Sequence, residues 1–484
     1  MTEEKNIDYP KLKFKAGLEI HQQLDSGKLY CRCPSVLRKD NPDLEVSRRL
    51  HAVAGEKGEI DVAALYQSSL KKEFVYQFYK DSNCLIELDE EPPHELDKEA
   101  LKIAIQIALL FNMTIIPIIQ IMRKTVIDGS NTSGFQRTVM IARDGFVESS
   151  LGRVGISGLF LEEDAARIIE RGKDKDIYRL DRLGIPLVEI VTSPDLKNAE
   201  HAKEVALKIG QIVRSCKVKR GIGTIRQDIN ISINKGNRVE IKGMQNMDIF
   251  TKVIENEVLR QRQLAESGKS NEMEVRNALV NGSTEYLRPL PGSSRMYPET
   301  DLPLLKISRD LINEAKKTLP KSAEETEDEL KKTGLNSEMI KLLLKREKIP
   351  EFKEFLKFYN SPDLVAKLLL VFPNEISSKE NIGLEKIEEI LLENYSEILN
   401  EVNSKKIKEG EVKEVLNKLV KGVNFGEASK IERIDFGEIE ESVIKMIKEK
   451  PGLNPNAYMG LVMKQFNGKV SGGEAMEMIK KYLK

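Results

Sequence analysis

Long apolar runs are missing from this chain. Its most apolar window, residues 103–122, is broken by Gln106, Asn112, Thr114, Pro117 and Gln120, so it predicts a buried helix followed by a strand and no membrane span. Cysteine is scarce: the four residues at positions 31, 33, 84 and 216 make no disulfide framework, which fits a reducing compartment. Cys31 and Cys33 are spaced like half of a zinc knuckle, but Cys84 and Cys216 stand alone, and no structural zinc is expected. An excess of either charge is absent too, since Lys+Arg and Asp+Glu both total 77. No global field steers the chain to nucleic acid or to a membrane, and a nucleic-acid partner has to be held by local patches. The start, M-T-E-E-K-N-I-D-Y-P, lacks the basic-then-apolar grammar of a signal peptide, so a cytoplasmic protein is expected. The loop at 128–134 has the glycine spacing of a P-loop, but Phe135 stands where the lysine belongs, which excludes a P-loop ATPase. No nucleophile elbow and no motif-placed Cys/His pair are present, so amidase chemistry on a Ser or Cys nucleophile is not expected.

What is there begins with length: 484 residues suffice for two to four domains with a sizeable core. Residues 14–24 read as a strand, whose alternation puts Glu19 and His21 on one face. A carboxylate and an imidazole two apart can grip one cation; a solvated edge-strand face is the plainer alternative. In P-L-V-E-I-V, residues 186–191, Glu189 falls between Leu187 and Val191 on one strand face. A carboxylate among apolar neighbours wants a cation, either a bound metal or a salt bridge to Arg179 or Arg182. Helices are predicted at 97–111 and 198–215, with His201 on the surface of the second, and an isoleucine-rich strand at 114–126. Residues 223–243 read as a β-hairpin turning at 234–237, with Ile225, Ile229, Ile231 and Ile233 on one side. Arg226, Asp228, Asn230 and Ser232 take the other side, and Arg238, Glu240 and Lys242 share a face of the returning strand. That mixture suits the floor of a phosphate and metal site, though such a face can also simply be wet. Ser130, Asn131 and Thr132, beside the basic Arg123, Lys124 and Arg137, form a loop able to touch a substrate; a plain surface loop is the alternative. The proline-rich stretch 289–303 marks a domain boundary, and beyond residue 307 lysine, glutamate and leucine recur at helical periods. The last segment predicts two short helices divided at Gly468, the second capped by Ser471.

Several of these stretches carry a resemblance. G-L-E-I-H at 17–21, E-E-D-A at 162–165, G-I-P-L-V-E-I-V at 184–191, R-Q-D-I-N-I-S-I at 226–233 and A-Y-M-G-L-V-M-K at 457–464 resemble the tRNA-dependent amidotransferase subunits of the B/E type. H-Q-Q-L at 21–24 and I-D-G-S-N-T-S-G-F-Q-R at 127–137 are similar to the archaeal E branch and unlike the bacterial B branch. The resemblance implies an α+β fold: a glutamine-synthetase-like cradle over residues 1–304, a helical domain over 305–412 and a small YqeY-like helical tail over 413–484.

It also implies an activity. Family members use ATP to phosphorylate the γ-carboxylate of glutamate mischarged on tRNA(Gln), and ammonia then displaces the phosphate to give Gln-tRNA(Gln). The ammonia comes from a partner, an asparaginase-like glutaminase of the D type, in an expected heterotetramer. By motif position Glu19, His21, Glu163 and Glu189 would hold Mg²⁺. Arg226, Asp228 and Lys242 would serve catalysis, with Glu240 on the phosphate and second-metal side. Arg295, Tyr297 and Glu299 would close the site, and Ser130, Asn131 and Thr132 would contact substrate. Charge neutralisation by a metal and by Arg and Lys is what phosphoryl transfer to a carboxylate demands. One departure from the family stands out: longer members carry an inserted domain where this chain has only the segment 263–287. Two other readings remain open, a B-type member with different partners and a tRNA-binding protein whose cradle has lost its chemistry.

Overall fold

In the computed structural model residues 7–55, 58–221, 223–292, 295–321, 323–346, 348–430, 436–466 and 472–483 are described. They form two compact units, residues 1–322 and 323–484. The first is α+β. Its main sheet has eleven strands, with Lys15–Gln23 central and antiparallel to both Pro186–Thr192 and Ile225–Ser232. Outward on one side follow Gly152–Glu163, Phe135–Ser149, Met122–Thr125 and Met296–Pro298. On the other side lie Val239–Lys242, Glu274–Ala278 and Thr284–Pro289.

One face of this sheet is greasy for a reason visible in its alternation. Leu18 and Ile20, Leu159 and Leu161, Val188 and Ile190, Ile229 and Ile231 all turn the same way and are fully buried. Helices Lys98–Leu110, Ala199–Arg214 and Phe250–Glu266 pack on that face to complete the main core. The first two start where a short polar side chain satisfies a free amide: Asp97 accepts from the Ala100 N–H and Asn198 from the His201 N–H. With helices on one face only, the other is left for a cleft. A smaller sheet, Leu44–Arg48, Glu73–Phe78, Lys175–Arg179 and Arg167–Arg171, encloses a separate cluster around Tyr76 and Leu180.

Three expectations change here. The strand expected at 114–126 is broken into Thr114–Ile115, Ile118–Ile119 and Met122–Thr125; Pro117 has no N–H to continue a ladder. Helix Arg309–Lys317 packs through Ala315 into the main core, so the first unit runs beyond the expected boundary at 304. His201 is buried, not on the surface: its Nδ1 accepts from the Lys197 N–H at 3.1 Å and its Nε2 meets Ser149 Oγ at 2.7 Å.

Among its described residues the second unit is helical. Apolar side chains between residues 330 and 428 share one core, to which Val412, Val415, Leu416 and Leu419 belong. Helices Phe436–Glu449, Pro455–Gln465 and Gly472–Tyr482 build a second cluster around Val443, Tyr458 and Val462. The helices expected after residue 304 are therefore present, while the tail's own cluster starts past the expected boundary at 412. Gly468 and Ser471 lie outside the described residues.

Candidate active site and metal centres

The helix-free face of the main sheet floors a cleft of about 480 Å³. Strand pairing decides which side chains enter it. His21 stands opposite Glu189 on one side and Arg226 on the other, and Glu19 stands opposite Asp228. Glu240 pairs with Asn230 across the next ladder. Glu19, His21, Glu189, Arg226, Asp228, Glu240, Lys242 and Arg295 all line the cleft, so eight of the expected residues are brought together.

Glu163 is not among them. Neighbouring residues on a strand point to opposite faces, and it is Glu162 that turns into the cleft, its strand position facing Leu187. Glu163 turns back to Arg137, whose N–H and Nη1 both donate to it at 3.3 Å. Arg137 also donates to Glu299, which binds Arg123 as well. This assigns Glu163 and Glu299 to a buried ion network away from the cleft. Tyr297 pairs with Arg123 on the outer strands and sets its ring edge to Phe135.

The loop residues Ser130, Asn131 and Thr132 also miss the cleft. Ser130 Oγ donates to Asp128, and Thr132 Oγ1 donates to the Glu87 carbonyl at 2.7 Å. Gly129 holds φ at +86° with the Phe74 ring where a Cβ would be, 2.2 Å away, so the turn is shaped by packing. Asn131 lines a second, small cavity with Tyr30 and Arg137, and its buried Oδ1, like Tyr30 Oη, has no hydrogen-bond partner among the described residues.

Within the cleft two acidic groups form. In the inner one, ligand atoms of His21, Glu162 and Glu189 lie within 4.8 Å of one another. Burial pushes the Glu189 carboxyl well above its usual range, and the Glu162 charge beside it adds to this. Burial also works against ionising Glu162, but Lys124, 2.6 Å away, helps hold it at about 2. His21 is driven down to about 4 by burial and is neutral at pH 7. Its 3.7 Å approach to Glu189 is therefore no ion pair. Arg179 and Arg182 turn elsewhere, to Gln77 and to the carbonyls of Ala165 and Ala166. The salt-bridge alternative for Glu189 thus has no cation to rest on among the described residues. A neutral imidazole and two carboxylates, one kept from ionising by burial and by the other's charge, are a donor set that fits a hard divalent ion.

The outer group, Glu19, Asp228 and Glu240, differs in kind. Lys242 Nζ sits 2.6 Å from both Asp228 and Glu240, and Asn230 donates to Glu19 at 2.8 Å. An ammonium already occupies the place a second cation would take.

A third group lies outside the cleft. Cys31, Cys33, Cys84 and Glu87 bring their ligand atoms within 4.8 Å. Cys31 Sγ and Cys84 Sγ each lie 3.1 Å from a Glu87 oxygen, and buried Lys28 reaches Glu87 at 2.8 Å. The neighbouring Cys31 and Cys84 thiols lower Cys33 to about 4. Three thiols and a carboxylate have the softness and number that tetrahedral zinc takes. The expectation of no structural zinc counted cysteine pairs along the chain; the fold supplies Cys84 from fifty residues away, with Glu87 at i+3 as the only local hint.

Besides Glu162, the sequence reading missed Lys124, Gln136, Asp164 and Arg288 as cleft residues. Asp164 receives Arg226 at 2.7 Å and Gln23 at 2.6 Å, which sets the Arg226 guanidinium at the cleft wall.

Comparison with known proteins adds an independent finding. Residues 14–313 match the GatB/GatE catalytic domain family. The chain is 36% identical over 632 aligned positions to a Methanocaldococcus jannaschii protein named as the E subunit of glutamyl-tRNA(Gln) amidotransferase, covering 99% of each chain. It is 33% identical to the protein of that name from Methanococcus maripaludis strain S2, again over 99% of both, and 34% identical to that of Methanosarcina barkeri over 98% of both. With 632 aligned positions and 484 residues here, at least 148 positions of the first relative have no counterpart, an excess of domain size.

Proposed function

The chain belongs to the GatB/GatE family, in its E branch, and from that premise we propose that it is the component that converts Glu-tRNA(Gln) to Gln-tRNA(Gln) at the cleft just described. The observation that carries this is the inner group, where half-buried Glu189 stands beside Glu162 with no Lys or Arg at ion-pair distance among the described residues. A purely structural sheet gains nothing from such a pair. The same observation speaks against a cradle that has lost its chemistry.

In this reading the cradle is of the glutamine-synthetase type, the helical tail of the YqeY type, and ATP is a substrate. His21, Glu162 and Glu189 would hold Mg²⁺, with Glu19, Asp228 and Glu240 as the second acidic group. The ion, when bound, neutralises phosphate oxygens in the transfer. The chain's own residues do the remainder. Lys124 keeps Glu162 ionised, and Arg226, anchored by Asp164, presents its free guanidinium edge to the cleft. Lys242 holds the outer carboxylates together until a substrate competes for it. The γ-carboxylate of the tRNA-bound glutamate takes the terminal phosphoryl group and ADP leaves. Ammonia then attacks the activated carbonyl, phosphate departs, and a proton is released. A D-type glutaminase partner supplies the ammonia within a larger complex.

The test is ATP cleavage by the purified chain with Glu-tRNA(Gln), ammonium and Mg²⁺, leaving out each in turn. Gln-tRNA(Gln) should form with ammonium and not with glutamine alone. Product formation without ATP, or steady glutamate release from glutamine, would overturn the reading.

A further inference from the structure

Three arginines of the cleft stand apart from its other cations. Lys124 is held by Glu162, Arg226 by Asp164, and Lys242 by Asp228 and Glu240. Arg238, Arg288 and Arg295 line the same cleft, yet among the described residues none of their guanidinium groups has a carboxylate at ion-pair distance or a hydrogen-bond acceptor. Sheet register explains how they converge. Arg238 stands just ahead of the strand Val239–Lys242 and reaches the same cleft as Glu240. Val275 pairs with Glu240 on one side and with Arg288 on the other, which carries Arg288 to that face from the outer strand. Arg295 follows from the proline-rich stretch; with Arg288 it lies near enough to Glu240 to offset part of the burial that opposes ionising that carboxyl. Arg238 is exposed while Arg288 and Arg295 are half-buried, so the three run from rim to interior. A guanidinium offers five donors in a planar fork and accepts nothing. Three of them, unfilled and facing one cavity, constitute a demand for oxyanions that the protein does not meet from its own carboxylates.

We propose that Arg238, Arg288 and Arg295 form an anion arm that grips the phosphate groups of a substrate entering the cleft, opposite the carboxylates of the inner group. This rests on the reading that the cleft handles phosphate-bearing substrates. The shared chemistry is the non-bridging phosphate oxygen, and two sources present it: the triphosphate of a nucleotide and the phosphodiesters of an RNA 3′ end.

The test uses the full chain with Arg238→Gln, Arg288→Gln and Arg295→Gln, singly and combined. Glu240 keeps Lys242 as its ion-pair partner in every variant, so melting temperatures should stay close to the unaltered value. Equilibrium binding is measured with Mg·ATP in one arm and with a deacylated tRNA(Gln) transcript in the other. Each lost guanidinium should weaken one of the two ligands about tenfold, the size of a charged hydrogen bond. If the ligand is RNA, the slope of log affinity against log salt should also fall by about 0.7 for each arginine, as for single-stranded phosphates. If it is the nucleotide, ATP affinity falls and the tRNA salt slope is unchanged. Arg262→Gln, on a helix outside the cleft and paired with Glu266, controls for loss of charge alone. Unchanged affinity for both ligands in the triple variant, or an equal loss in Arg262→Gln, overturns the proposal. Failure of the unaltered chain to cleave ATP would remove the transamidation reading instead, because these measurements read affinity and not turnover.

Discussion

Glu162 and Glu163 are adjacent and both buried, and the fold turns them to opposite sides, one into the cleft and one to Arg137. Preceding Leu159, Phe160 and Leu161 are apolar on both faces, so the segment offers no alternation from which to read the phase; the motif match picked Glu163, and it is Glu162 that lines the cleft. The difference is measurable. Glu189→Gln should leave stability in metal-free buffer unchanged or slightly higher, since it removes a carboxyl crowded by Glu162, while abolishing ATP cleavage. Glu163→Gln should do the reverse: it weakens bonds to Arg137, costs about 1–3 kcal/mol by denaturant titration, and keeps divalent-ion binding. A large stability loss in Glu189→Gln with activity retained would assign Glu189 to structure. The histidines make a second prediction. Burial lowers both His21 and His201 below the ordinary value of 6.5, His21 to about 4. The unfolded chain then takes up protons first, so stability is full above pH 6.5 and is lost as pH falls from there toward 4. In chelator-treated protein His21 should contribute at most about 2 kcal/mol of loss between pH 7 and pH 5. Unfolding titrations at the two pH values, repeated on His21→Gln, check this; an equal loss in the variant would contradict it.

At the scale of elements, the Cys31, Cys33, Cys84 and Glu87 group ties two loops together. Thr132 hangs the 128–134 loop on the Glu87 carbonyl, while the Glu87 carboxylate is the group shared with the cysteines. The purified chain should therefore carry about one zinc, and a zinc-selective chelator should lower its melting temperature. Cys84→Ser should abolish both the zinc and the chelator effect. Metal analysis showing no zinc in the unaltered protein would leave the group as a buried hydrogen-bond cluster. The elements themselves were largely legible. The helices expected at 97–111 and 198–215 match Lys98–Leu110 and Ala199–Arg214, because capping residues and a 3.6-residue apolar stripe are local signals. The strand at 114–126 was not, because Pro117 cuts it, and His201 was misplaced because Ser149, which meets its Nε2, reaches it only once a hairpin folds against the helix.

For the whole molecule, the helical end gives the last prediction. A cut after Val412 would remove Val415, Leu416 and Leu419 from the core they share with apolar residues 330–402, at a cost of about 2–5 kcal/mol for each large side chain lost. A cut after Lys430 spares that core and removes only the cluster around Tyr458 and Val462. The shorter deletion should preserve the thermal transition and ATP affinity while weakening tRNA binding and its salt dependence; unchanged tRNA affinity would give the tail another task. By itself the sequence determined the family, the α+β first part and helical remainder, and the polar faces of the strands that carry Glu19, His21, Glu189, Asp228 and Glu240, since these follow from motifs and from periods of two and 3.6. Only tertiary structure decided which of two adjacent glutamates enters the cleft, that Lys242 already fills the outer acidic group, that Cys84 joins Cys31 and Cys33, and that three arginines line the cleft with no carboxylate partner among the described residues. Those outcomes depend on strand register and on contacts between residues far apart in the chain, which no local pattern encodes.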